Sequence, residues 1–208
     1  MVICMLYRKK TNEEVVDVME EIKKIFCIQG ISGAGKDTLV RMISKKMNIE
    51  TLVSHTTRPM REHEVDGETY YFVKDTFFKN EADNFLELRT YNVWDGSTWY
   101  YGLHKIEVLN KPYSLFIVDR HGYEELKEKL GDKLVSIMID ADKEELVRRL
   151  EARGDNKAEI NRRIEDDIKR FEGFKPDYVI NNSNLRGAAK RLEDIILREV
   201  IKDIQEEM

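Results

Sequence analysis

The chain has 208 residues, 41% of them hydrophobic, which is enough for one well-buried core with at most a small appended subdomain. With 35 basic against 40 acidic residues the net charge is −5, so the overall field does not attract nucleic acid and any phosphate site must be local. No stretch approaches the roughly 20 apolar residues that cross a bilayer, and the apolar residues 1–7 precede Arg8, Lys9 and Lys10, the reverse of a signal peptide; a soluble, cytoplasmic protein with no membrane contact is expected.

In chain order, Asn12 to Lys24 carries Val15, Val16, Met19 and Ile22 near helical spacing, which predicts an amphipathic helix in front of the core, either packed on it or offered to a partner. Ile25–Ile28 is a short apolar run containing Cys27; Cys4 is the only other cysteine, so a reduced core thiol and a reducing compartment are expected. Further runs at Leu52–Val53, Tyr113–Val118, Leu134–Ile139 and Tyr178–Ile180 read as buried parallel strands. Helices are predicted over about Lys36–Met47, Tyr123–Leu130, Lys143–Arg153, Ile160–Phe171 and Leu185–Ile204, so strands and helices alternate and the fold class is α/β. Between Gly67 and Leu103 that rhythm breaks into aromatic and polar residues with short strand-like pieces at Phe72-Val73, Phe85-Leu86 and Tyr100-Tyr101, which predicts an inserted small sheet. No internal repeat or Pro/Ser-rich linker interrupts the chain.

The first strand runs directly into Gly30-Ile31-Ser32-Gly33-Ala34-Gly35-Lys36-Asp37-Thr38, and a helix follows. Strand, glycine-rich loop, lysine and helix in that order make a phosphate-binding P-loop: the glycines let backbone N–H groups curl around phosphate oxygens, the helix N-terminus adds partial positive charge, and Lys36 reaches the transferred phosphoryl group. Asp37 stands where the usual pattern has Ser or Thr. Two roles fit it, holding Mg²⁺ through water while Thr38 bonds phosphate or metal, and simple stabilisation by the helix dipole.

A second anion site is expected just beyond the second strand, where Arg58 and Arg61 flank Pro59 and Met60 and Tyr70 adds a hydroxyl. At this point the run Ser54-His55-Thr56-Thr57-Arg58-Pro59-Met60-Arg61, followed by Glu64-Val65-Asp66-Gly67 and Tyr70-Tyr71-Phe72-Val73, resembles the signature of guanylate kinases, a likeness that extends from about Lys24 to the C-terminus.

That resemblance implies a parallel-sheet P-loop kinase with an N-terminal extension (1–24), a catalytic domain (25–208), an acceptor-binding insertion (54–103) and a helical lid (149–163). It implies transfer of the ATP γ-phosphoryl group to GMP or dGMP with Mg²⁺. Arg58, Arg61 and Tyr70 are implied to hold the acceptor phosphate, Ser54 to lie beside the base, Glu87 to accept from guanine N1 and N2, and Tyr101 and Asp119 to complete the acceptor pocket. Arg149, Arg153 and Arg163 match lid arginines, with salt bridges to Glu145 and Glu159 as their plainer role, and Asn182 matches a loop beside the ATP adenine. Two departures bear on the base: Leu103 replaces the usual serine after Tyr-Gly, and the Glu87–Tyr101 spacing is longer by a piece within Asn92–Thr98, where Ser97 or Thr98 is a candidate replacement hydroxyl. These departures keep open a kinase for a different phosphorylated acceptor; a non-catalytic interaction module of the same fold is a separate alternative, against which the intact Gly30, Gly35, Lys36 and lid arginines speak.

Overall fold

The computed structural model describes residues 21–62, 64–92, 96–206 and 208. Five strands form one sheet: β1 (Lys24–Gly30), β2 (Glu50–Leu52), β7 (Tyr113–Ile117), β8 (Leu134–Asp140) and β9 (Tyr178–Asn181), in the order β2-β7-β1-β8-β9. All four pairings are parallel, as continuous apolar runs with helical crossovers require. Alternation along β1 sends Phe26 and Ile28 to one face and Ile25 and Cys27 to the other, and each face has its own core. On the first face lie α1 (Lys36–Met47), α4 (Lys143–Ala152), α5 (Lys157–Phe171) and α6 (Leu185–Glu206), through Leu39, Ile43, Leu146, Leu150, Ile160, Ile164 and Leu192. The second face packs α3 (Arg120–Leu130), through Tyr123, Leu126 and Leu130. Cys27 is a free, fully buried thiol, and burial pushes its pKa above the ordinary cysteine value.

The predicted insertion is a second sheet of β3 (His55–Thr56), β4 (Tyr71–Phe72), β5 (Phe85–Asn92) and β6 (Thr98–His104), ordered β4-β3-β6-β5, with α2 (Asp75–Asn80) in the β4–β5 connection. Leu86 and Leu103 join the core of the second face, so this sheet is anchored to α3. The outer edge of β5 is covered from α3: Leu88 N donates to Glu125 Oε2 at 3.0 Å, and Lys129 Nζ donates to the Leu86 carbonyl at 2.6 Å.

Two boundaries and one candidate side chain differ from expectation. Most of the predicted Asn12–Lys24 helix lies outside the described residues, and its end is not helical: Lys23 N and Lys24 N both donate to the Pro112 carbonyl as β1 begins, and Ile22 is buried in the second core. The gap between the helices predicted over Lys143–Arg153 and Ile160–Phe171 is shorter, because Lys157 already opens α5; polar character does not stop a helix whose Ile160 and Ile164 are buried one turn apart. The missing hydroxyl at Leu103 is not supplied by Thr98, whose Oγ1 donates to Asn92 Oδ1 at 3.2 Å at the hairpin end of β6, about 17 Å along the strand from Leu103. Among the described residues no helix is long and apolar enough to cross a membrane.

Candidate active site

The C-terminal ends of β1, β7, β8 and β9 deliver Gly30, Asp119, Asp140 and Asn182 to one edge of the parallel sheet, where ligands gather in such folds. The β1–α1 turn is close-packed from below. Gly30 has φ +146°, and a Cβ there would come 2.2 Å from the Ile139 carbonyl oxygen, so no other residue lets the strand leave β8 in this direction. Asn182, nearly fully buried, braces the loop: its N donates to the Asp140 carbonyl and its Nδ2 to the Ala34 carbonyl, both at 2.7 Å. The residue expected beside the adenine is thus seated under the phosphate loop.

Gly35 caps α1 in the left-handed conformation without a side chain to satisfy the helix amides, and Asp37 and Thr38 are exposed in the first turn. Uncapped N–H groups next to a lysine fit a bound phosphate. Lys36 Nζ donates to the carbonyls of Gly30 at 2.8 Å and Ile31 at 3.2 Å, neutral groups that a phosphate oxygen readily replaces. Burial lowers the Lys36 pKa, while Asp37 and Asp167 pull it up and Arg153 adds to the lowering. Ser32 N donates to Asp167 Oδ2 of α5 at 2.8 Å, a contact the sequence did not suggest. Among the described residues no group of three His, Cys, Asp or Glu side chains could hold a metal unaided. Asp37 and Thr38, adjacent and exposed, offer a carboxylate and a hydroxyl, a donor pair that fits a divalent ion whose other ligands are phosphate oxygens and water.

The expected lid arginines separate into three situations. Arg149 lies over the loop: Nη2 donates to the Asn182 carbonyl at 2.7 Å, Nη1 to the carbonyls of Ala34 at 3.3 Å and Gly33 at 3.4 Å, and Nε to Glu145 at 2.7 Å. Arg153 acts electrostatically on Lys36 and pairs with Asp155. Arg163 pairs with Glu159 at 2.8 Å on its own helix.

On the second sheet the groups expected to bind the acceptor are paired with one another. Arg58 donates to Glu64 through Nη2 at 2.7 Å and Nη1 at 3.0 Å, with both side chains 6% exposed. Glu64 also accepts from Arg61 N at 2.8 Å, and the Arg61 residue is exposed. Arg58 sits over the Tyr70 ring at 5.4 Å, Tyr70 meets Tyr101 edge-on at 5.7 Å, and Arg89 lies 6.0 Å from the Tyr101 ring. Burial raises the Tyr70 phenol, and Asp37 adds to the rise, so Tyr70 lies within electrostatic range of the first turn of α1. Ser54 is buried beside this layer and fixes β4 by accepting from Tyr71 N at 2.9 Å.

The residue that sequence reasoning missed is Arg89. Its Nε and Nη2 grip Glu87 Oε2 and Oε1 at 2.6 and 3.0 Å, and its Nη1 donates to Asp119 Oδ2 at 2.7 Å. Asp119 also caps α3 by accepting from Gly122 N at 2.9 Å, and it accepts from the Tyr91 hydroxyl. Burial disfavours the charge on Arg89, but Glu87 and Asp119 more than restore it. Burial likewise raises the Glu87 carboxyl, yet two N–H donors on its two oxygens require it ionised in this arrangement. A signal for this cluster was present: Glu87, Arg89 and Tyr91 stand at alternate positions of one strand and so share a face.

The guanylate kinase family profile matches residues 22–199. A guanylate kinase of Prochlorococcus marinus is 33% identical over 189 residues, covering 86% of this chain and 99% of the relative. One from Zymomonas mobilis is 35% identical over 189 residues, covering 86% and 85%. The crystal structure of guanylate kinase from Anaplasma phagocytophilum superposes with a TM-score of 0.64 at 26% identity, covering 86% of each chain. With the P-loop, the arginine–tyrosine layer and the fold all in agreement, the chain belongs to the guanylate kinase family.

Proposed function

We propose that this chain transfers the γ-phosphoryl group of ATP to GMP or dGMP, giving ADP and the nucleoside diphosphate, in a reducing cytoplasm. The observation that carries the reading is a pair of cationic centres, Lys36 on the P-loop and Arg58 with Tyr70 and Tyr101 on the second sheet, the latter close enough for Asp37 beside Lys36 to act on Tyr70. One centre suits the donor triphosphate and the other an acceptor monophosphate, whereas a simple NTPase needs only the first.

The chemistry requires placement more than bond-making groups. An acceptor phosphate oxygen attacks the γ-phosphorus directly, so no protein nucleophile is involved. Lys36 leaves its two carbonyl partners for the phosphoryl oxygens, and the α1 amides follow the phosphate chain. Mg²⁺, when bound, neutralises charge on the donor phosphates. Arg58 exchanges the Glu64 carboxylate for the acceptor phosphate, a like-for-like replacement of one oxyanion by another. Arg149 is already above the loop, and closure of α4 and α5 brings Arg153 and Arg163 inward and keeps water, a competing acceptor, out. Asp167 must release Ser32 N when the lid rearranges around phosphate.

The test is ADP formation from ATP and Mg²⁺ with GMP, dGMP, AMP, CMP and UMP as acceptors. Turnover confined to GMP and dGMP is expected; turnover with another acceptor in place of GMP would overturn the acceptor assignment.

A further inference from the structure

Ser32 N belongs to the phosphate loop, and its proton is already engaged: Asp167, which α5 brings from 135 positions away, accepts it through Oδ2 at 2.8 Å. We propose, building on the ATP-dependent kinase reading, that Asp167 sets the donor affinity of this enzyme: its carboxylate competes with an ATP phosphate oxygen for the Ser32 amide and is displaced as the nucleotide binds, passing to Arg170 on its own helix.

The first ground is the chemistry of the two competitors. Carboxylate and phosphate oxygens are both anionic acceptors for backbone N–H groups, and one N–H serves only one of them at full strength. Asp167 also reaches the second anion-binding group of the loop. Burial lowers the Lys36 pKa, and Asp167, like Asp37, pulls against that lowering, as an incoming phosphate would. One carboxylate of α5 therefore acts on both an amide and the ammonium that a triphosphate would use. The rest of the cradle stays open to the nucleotide, since Gly35 gives the first turn of α1 no side-chain cap.

The second ground is the contrast among the acidic side chains of α5. Glu159 pairs with Arg162 at 2.7 Å and Arg163 at 2.8 Å, and Asp166 pairs with Arg162 at 2.7 Å, all along the helix itself. Asp167 instead reaches off the helix to the loop, while the Arg170 guanidinium stays 3.6 Å from its Oδ1, beyond hydrogen-bond range. The Arg170 side chain is 57% exposed, so it has room to close on the carboxylate once the loop amide is given up.

The third ground is where α5 is held. Arg120 Nη1 donates to the carbonyls of Arg170 at 3.0 Å and Glu172 at 2.7 Å, and the Arg120 guanidinium lies 5.8 Å from the Phe174 ring. The end of α5 that carries Asp167 is thus fixed from the start of α3, and the exchange falls to one side chain rather than to travel of that end of the helix. A carboxylate kept on the loop would repel the triphosphate, so the apparent donor affinity scales with the fraction of molecules in which Asp167 has let go.

Isothermal titration with Mg²⁺ and the non-hydrolysable analogue AMP-PNP, in the absence of an acceptor, tests this on the parent chain and on Asp167→Asn. Asparagine has the same size and can still accept from Ser32 N, but as a neutral group, which keeps the fold and weakens the competition. The expected result is a Kd lowered about three- to tenfold, an ATP KM lowered in step, and an unchanged Kd for GMP. Asp167→Ala should move the analogue Kd in the same direction. The sign is decisive, because a carboxylate that only supported the Lys36 charge or braced α5 would leave weaker donor binding when removed. An unchanged or higher Kd in both folded variants overturns the proposal. Arg170→Ala, which removes the receiving partner, should raise the Kd about two- to fivefold in the parent chain and leave it unchanged in the Asp167→Asn background. An equal rise in both backgrounds overturns the passage to Arg170. Failure of the kinase reading appears separately, as no binding of the analogue to the parent chain, and takes this proposal with it.

Discussion

At the β1–α1 turn the anion cradle is built from backbone and waits with its lysine on neutral carbonyls, whereas on the second sheet every buried cation is already matched to a carboxylate: Lys36 touches Gly30 and Ile31, but Arg58 is held by Glu64 and Arg89 by Glu87 and Asp119. The difference follows from what surrounds each charge. Lys36 lies at the C-terminal ends of the strands, where Asp37 and Asp167 oppose the effect of burial on its charge, while Arg58 and Arg89 are 6% and 9% exposed and would be costly to bury without a carboxylate partner. The donor half is thus set up to gain an anion, and the acceptor half to exchange one.

That contrast orders the consequences of substitution. The largest effect is expected at Lys36→Ala, which removes the charge that meets the transferred group: kcat should fall about 100- to 1,000-fold with GMP binding retained, checked by steady-state kinetics and by titration of GMP. Loss of both together would show that the two halves are not separable.

Arg58→Ala comes next and should act on both function and stability. It leaves Glu64 buried without its partner, so a loss of about 3 kcal/mol in urea unfolding is expected together with a raised GMP KM. In the double variant Arg58→Ala with Glu64→Ala, stability should partly return while the GMP KM stays high. Recovery of both would mean that Arg58 only neutralises Glu64.

Gly122→Ala tests the tighter end of the acceptor half. The added Cβ meets Val118 Cγ2 at 2.8 Å as well as the Arg89 guanidinium, so a cost of about 1–3 kcal/mol and a raised GMP KM are expected, with the ATP KM unaffected.

The smallest effect on catalysis is expected from a pH dependence of stability that originates in the second sheet. Burial lowers His55 to about 3 and His104 to about 4, with neighbouring charge adding to each. Both are neutral in the folded chain, while the unfolded chain protonates them near 6.5, so their contribution is complete above that value and is lost as pH falls from about 6.5 towards 4. The expected loss is about 1.4 kcal/mol per histidine per pH unit in that window. Urea midpoints at pH 7 and 5.5 should differ less in His55→Leu than in the parent chain; equal differences would contradict it.

The same contrast explains what was legible in the sequence. The parallel strands and their helices follow from apolar runs and a 3.6-residue period, because burial on both faces of the sheet leaves a pattern in consecutive residues. Gly30 to Thr38 was readable because a backbone cradle is contiguous. Arg58, Tyr70 and Tyr101 were found through a motif, and Glu64 was quoted within it without its role as the partner of Arg58. Ser32 and Asp167 are 135 positions apart, and the junction of Arg89 with Asp119 spans 30, so neither could be seen as a local pattern. The shift in strand register between Phe85 and Glu87, which sets Glu87 opposite Leu103, was equally hidden. Glu87 itself was found, but as a group open to the base rather than one covered by its neighbour two residues on.

The measurement that bears most directly on the central claim is ADP release from ATP and Mg²⁺ with GMP as acceptor, set against AMP under the same conditions. Efficient, saturable turnover with GMP and little with AMP is the result predicted by one cationic centre for the donor phosphates and a second for the acceptor. Equal turnover with and without GMP would make the protein an ATPase and leave the second centre without a function, contradicting the assignment.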